Sequence, residues 1–154
     1  MQAVKKKFVL PFCGKIIGKL PKMKYDLEVL DNGLIVTTVK IINPYNQAEE
    51  IECKALIDTG SENTFVSKSV FDKFTIDNKN ISKRGVSTIN KDELDIDCYP
   101  FIFKIPNQNL FQSNTIAAIF TFPEREYEAI IGIDILIGFE LYYSGCGKTA
   151  WIEF

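Results

Sequence analysis

The stretch Ala55-Leu56-Ile57-Asp58-Thr59-Gly60-Ser61 constrains this chain more than any other. Three apolar residues run straight into an acid, a β-branched hydroxyl residue and a glycine. A short apolar run bounded by a turn signal reads as a buried strand. Gly60 marks where the backbone must turn sharply or be closely approached. A carboxylate at the end of a buried strand costs free energy unless it is hydrogen-bonded, paired or used in chemistry. The plain alternative is that Asp58 opens an ordinary turn, since Asp-x-Gly is common turn chemistry. A second stretch, Ala129-Ile130-Ile131-Gly132-Ile133-Asp134, repeats the design. There too an apolar strand stops at a glycine and leads into an apolar, helix-compatible segment.

The absence of histidine narrows the chemistry. It excludes Ser-His-Asp and Cys-His hydrolases, H-E-x-x-H metalloproteases and His-ligated metals. Acid and base must then come from carboxylates, or from Lys, Tyr or Cys. Cys13, Cys53, Cys98 and Cys146 are far apart and form no C-x-x-C pair, so they read as buried thiols and not as a zinc site or disulfide framework. No metal and no cofactor is expected. A net charge of −2 gives no reason to invoke nucleic acid.

Residues 1–25 hold seven lysines and no acid, and read as a solvated basic arm before one domain over 26–154. Phe8 to Cys13 is too short, and is broken by Pro11, for a signal peptide; nothing later approaches a membrane span. A cytoplasmic location is expected. Within the domain, Tyr25–Leu30 and Leu34–Ile42 flank Asp31-Asn32-Gly33, predicting a hairpin with a type I′ turn. Ile51–Ile57 is the strand that delivers Asp58, and Thr64–Val66 a short strand. Ser67 caps a short helix over 69–74. Cys98–Ile105 is a strand with Tyr99, Phe101, Phe103 and Ile105 on one face, followed by a polar loop at Asn107-Gln108-Asn109. Further strands lie at 116–122, 127–131, 140–143 and 149–154, with a helix at 133–139. Trp151 and the phenylalanines are expected in the core or a dimer interface. Glu124, Glu126 and Glu128 are expected on a solvated loop or edge. Many short strands with one or two short helices predict an all-β, closed antiparallel β barrel.

With both glycine-terminated segments in hand, the sequence resembles the retropepsin-like aspartic proteases. That family carries one apolar-apolar-Asp-Thr-Gly-Ser/Ala signature and one later apolar-apolar-Gly signature per chain, and the resemblance runs from about Gly33 to the C-terminus. It implies an aspartic endopeptidase with Asp58 as the catalytic group, Thr59, Gly60 and Ser61 as its loop, and Ile130, Ile131 and Gly132 as the second signature beside it. Two carboxylates about 3 Å apart cannot both ionise cheaply, so one activates water while the other stays protonated. One chain supplies one such aspartate. The resemblance therefore implies a homodimer with the two Asp58 residues facing each other and a protein or peptide as substrate. It also implies that the Thr59 hydroxyl joins a cross-dimer network and that Gly60 leaves room beside the carboxylate. Ser61 either donates to the Asp58 carboxylate or caps the turn. Asp134 is expected to cap the helix from Ile135, not to act in catalysis. Gly85–Leu94 is either the family's substrate-covering flap or a plain surface hairpin. Two rival readings stand beside this one. The first is a retropepsin-fold homodimerisation or binding module with weak or no activity. The second is an unrelated small β barrel in which Asp58 is only a turn residue.

Overall fold

The computed structural model describes residues 22–87, 93–106 and 112–154. Within them the chain forms strands β1 (Lys24–Val29), β2 (Ile35–Asn43), β3 (Asn46–Ile57), β4 (Phe65–Ser67), β5 (Ser82–Ser87), β6 (Glu93–Lys104), β7 (Gln112–Phe120), β8 (Ala129–Ile131), β9 (Glu140–Ser144) and β10 (Thr149–Glu153). Two four-residue helices, α1 (Lys68–Phe71) and α2 (Ile133–Leu136), follow β4 and β8. No helix of the described residues is long and apolar enough to cross a membrane. Most of the expected arm, and the loop at Asn107-Gln108-Asn109, lie outside the described residues; Lys24 and Tyr25 belong to β1.

The strands form one sheet in the order β5-β6-β7-β4-β8-β3-β2-β1-β10-β9, and β6 also pairs with β2. The pairings thus run in a ring through β2, β3, β8, β4, β7 and β6. The all-β expectation holds, but the ladder is not purely antiparallel. β8 pairs parallel with β3 and β4 pairs parallel with β7. The topology requires the first of these: the chain leaves β3, turns, and returns as β4. A strand inserted between those two arms must run parallel to one and antiparallel to the other, as β8 does.

The expected hairpin between β1 and β2 is present with a different turn. Gly33 donates to the Leu30 carbonyl at 2.9 Å and Leu30 donates to the Leu34 carbonyl at 2.9 Å. Only Gly33 has positive φ (84°), so Asn32 does not adopt the left-handed conformation that a type I′ turn needs. This is the three-residue loop in which a turn is followed by a left-handed glycine. The Asn32 side chain instead accepts from the Leu34 amide at 3.1 Å, a local bond that Asn makes readily. Ser67 does cap α1, accepting from the Val70 amide at 3.3 Å.

β6 alternates as expected. Tyr99, Phe101 and Phe103 each retain 1 % exposure, and all three pack in the largest core cluster with Ile41, Val66 and Val70. Burying side chains of this size contributes roughly 1.5–3 kcal/mol apiece. Trp151 lies half-buried outside the core clusters, stacked on Tyr142 with ring centres 5.0 Å apart, with Lys24 over its ring.

A polar network closes the far end of this core. Asn43, fully buried, accepts from Tyr99 Oη at 3.2 Å and donates to Glu49 at 3.0 Å and to the Thr75 carbonyl at 3.3 Å. Glu49 accepts in turn from the Thr75 amide at 3.1 Å. These bonds from Thr75 and Asn43 hold the Glu49 carboxyl below its ordinary pKa. Replacing Asn43 with Ala strands the Tyr99 hydroxyl and should destabilise the fold by about 1–3 kcal/mol in urea unfolding. A depressed carboxylate pKa contributes stability above the unfolded value and loses it as the pH falls through the folded one. Glu49→Gln should therefore lose less stability than the wild type between about pH 6 and about pH 3.

Candidate active site

β3 runs apolar to Ile57 and hands the chain to Asp58, which is half-buried. The Asp58 amide still belongs to the sheet, donating to the Ile131 carbonyl of β8 at 3.0 Å. Its Oδ1 accepts from the Gly60 amide at 2.9 Å, and its carbonyl from the Ser61 amide at 3.2 Å. The carboxylate is thus oriented by the backbone of its own loop. A Cβ on Gly60 would lie 3.2 Å from Asp58 Oδ1, so only glycine leaves that side of the carboxylate uncrowded. Thr59 is exposed, and among the described residues its hydroxyl has no partner. Ser61 Oγ donates to the Asn63 carbonyl at 2.7 Å. Its one hydroxyl proton is committed there, so Ser61 braces the turn and does not donate to Asp58.

The second signature lies against this loop. Ile130 and Ile131 pair with Leu56 and Ile57. Gly132 follows, where a Cβ would overlap the Asn63 carbonyl and stand 2.8 Å from the Ser61 carbonyl. The glycine is needed for this approach of two backbones, not for a special φ. The Ile133 amide then donates to the Ser61 carbonyl at 2.7 Å.

Gly132 occupies the N-cap position of α2 and brings no side chain to it, while Asp134 in the first turn accepts from the Ile135 amide through Oδ1 at 3.0 Å, the local bond expected of it. Asp134 reaches across to Thr64: Oδ2 accepts from the Thr64 amide at 3.0 Å and Oδ1 from the Thr64 hydroxyl at 2.7 Å. The same hydroxyl accepts from the Gly132 amide at 3.1 Å. Thr64 is fully buried and joins both signatures. Its role was not read from the sequence; the one available signal is a hydroxyl residue placed between the loop and the apolar Phe65-Val66. Among the described residues no group of His, Cys, Asp or Glu side chains is arranged to hold a metal ion.

The hairpin at Gly85–Leu94 exists as the outer part of the β5–β6 pairing, with Gly85 opposite Asp95 and Val86 opposite Leu94. Its tip, residues 88–92, lies outside the described residues. At its base Arg84 donates from Nη1 to the Asn63 side chain, a contact between hairpin and loop that no sequence pattern announced. Glu124 and Glu126 are exposed, as expected.

No family model matches the sequence, and no curated protein matches it. Solved structures do. A retropepsin-like aspartic protease from Rickettsia conorii superposes with a TM-score of 0.57 at 12% identity, covering 86% of this chain and 91% of that one. EIAV protease in complex with an inhibitor gives a TM-score of 0.47 at 18% identity, covering 70% of this chain and 91% of that one. The chain has the retropepsin-like fold.

The geometry around Thr64 makes its own test. Thr64→Val leaves the Gly132 amide without its acceptor and removes the hydroxyl bond to Asp134 Oδ1, and should cost about 1–3 kcal/mol in chemical unfolding. Thr64→Ser should restore most of that loss. Gly132→Ala forces Cβ into the Asn63 carbonyl and should destabilise by a similar amount, about 1–3 kcal/mol.

Proposed function

We propose that this chain is an aspartic endopeptidase that works as a homodimer, with Asp58 from each subunit holding and activating the attacking water. The observation that carries the reading is the placement of Asp58. It sits at the end of β3, beside β8, with one carboxylate oxygen fixed by the Gly60 amide. A pure scaffold has no use for a carboxylate oriented in this way. In the proposed dimer the two carboxylates share one proton, and their titration belongs to the pair. One carboxylate takes a proton from water as it attacks the peptide carbonyl, while the protonated partner donates to the carbonyl oxygen. Thr59, exposed on the loop, is assigned the cross-subunit hydrogen bond. Gly60 keeps the approach to the carboxylate open, and Ile130, Ile131 and Gly132 support the loop from behind. The ring of strand pairings is read as the expected barrel, and residues 26–154 as one domain after a basic arm. Cys53 and Cys98 are buried as expected and Cys146 is exposed against expectation, and free thiols at all three accord with a cytoplasmic location.

The decisive comparison is wild type against Asp58→Asn on an unbiased peptide library from about pH 4 to about pH 7, with sizing of both proteins. Wild type should cleave as a dimer. The variant should remain a folded dimer and lose cleavage by on the order of a thousandfold or more. A wild type that stays monomeric at high concentration refutes the shared-aspartate mechanism.

A further inference from the structure

Directly opposed residues in a sheet place their side chains on one face. Leu56, Ile130, Phe65, Ala118 and Cys98 are consecutive cross-strand partners on β3, β8, β4, β7 and β6. Cys98 faces Ser82 of β5, and Arg84, two residues further on, shares that face. This face begins at the end of β3, which leads into the Asp58 loop, and ends at Arg84 on β5, and the Arg84–Asn63 contact returns to the same loop. Ile96, Cys98 and Ala118 with Phe65 make an apolar cluster on the way.

Arg84 is half-buried on this face. One of its five N–H groups is spent on Asn63, and among the described residues no carboxylate lies within ion-pair range of it. Lys83, its neighbour on the opposite face, shows the contrast: Asp97 lies 2.7 Å from it. A guanidinium brought partly out of water with no counter-charge is costly, and its fork matches the two oxygens of a carboxylate. The Asn63 contact orients the fork from the active-site loop itself.

We propose that Arg84 determines specificity by taking an acidic side chain of a peptide bound beside the Asp58 loop. The enzyme would then prefer substrates with Glu or Asp at one position beside the scissile bond. The inference rests on the peptidase reading, and its test keeps the two separable. Octapeptides randomised at every position are offered to wild type, Arg84→Gln and Arg84→Glu, and the products are sequenced. The same library is passed over immobilised Asp58→Asn chain, with and without the Arg84 changes, and the retained peptides are sequenced.

One position should favour Glu or Asp over Gln or Asn by about tenfold, in both cleaved and retained peptides. The preference should vanish in Arg84→Gln and turn towards Lys or Arg in Arg84→Glu. A purely structural role for Arg84 would lower all peptides alike and leave that ratio unmoved, which overturns the assignment. Cleavage without an acidic preference also overturns it and leaves the peptidase standing. Acidic-selective retention with no cleavage by wild type keeps the assignment and refutes the peptidase. Neither retention nor cleavage refutes both.

Discussion

The Asp134 carboxylate closing on both the amide and the hydroxyl of Thr64 is the contact on which the site's geometry depends. A loop that leaves one strand and returns as another has no internal reason to hold a fixed shape. Here its far end is tied to the helix that follows β8, while its near end is tied to β8 through the Asp58 amide. Thr64 completes the tie by accepting from Gly132. Each bond alone contributes about 1 kcal/mol, but together they leave the loop few alternative conformations. Contacts remote from the carboxylate thus place the loop, and the Gly60 amide orients the Asp58 carboxylate within it.

The same arrangement explains the two glycines differently. Gly132 lets backbone meet backbone, so that Asn63 and Ser61 can crowd against the start of α2. Gly60 lets solvent meet a carboxylate oxygen that its own amide holds in place. One glycine serves packing and the other serves access. Around them the sheet supplies rigidity: the aromatic row on β6 and the Asn43 network fix the strands, leaving variation to the β5–β6 hairpin and the residues at its base.

The two signatures were legible in the sequence because each is local: an apolar run, a glycine and an acid within a few positions. The inward row Tyr99, Phe101 and Phe103 was legible for the same reason, through its period of two. What could not be read depends on partners distant in the chain. Thr64 and Asp134 look like an ordinary hydroxyl and an ordinary first-turn acid until β8 is inserted between β3 and β4. The parallel pairing of β8 with β3 follows from that insertion and leaves no trace in hydrophobic pattern. Asn32-Gly33 announced a hairpin correctly, but the Asn side chain chose a local bond to Leu34 over the conformation that its neighbour's type suggests.

β1 divides its hydrogen bonds between two neighbours, with Lys24–Leu27 opposite β10 and Glu28–Val29 opposite β2. Tyr25 faces Ile152, and Leu27 shares a small core cluster with Ala150 and Ile152. In order of synthesis β1 is the first described strand and β10 the last. The contacts of Leu27 with Ala150 and Ile152 join the two ends of the described chain and so carry a high loop-closure cost. Until β10 closes over it, the half-paired β1 is an open edge available to any other extended chain.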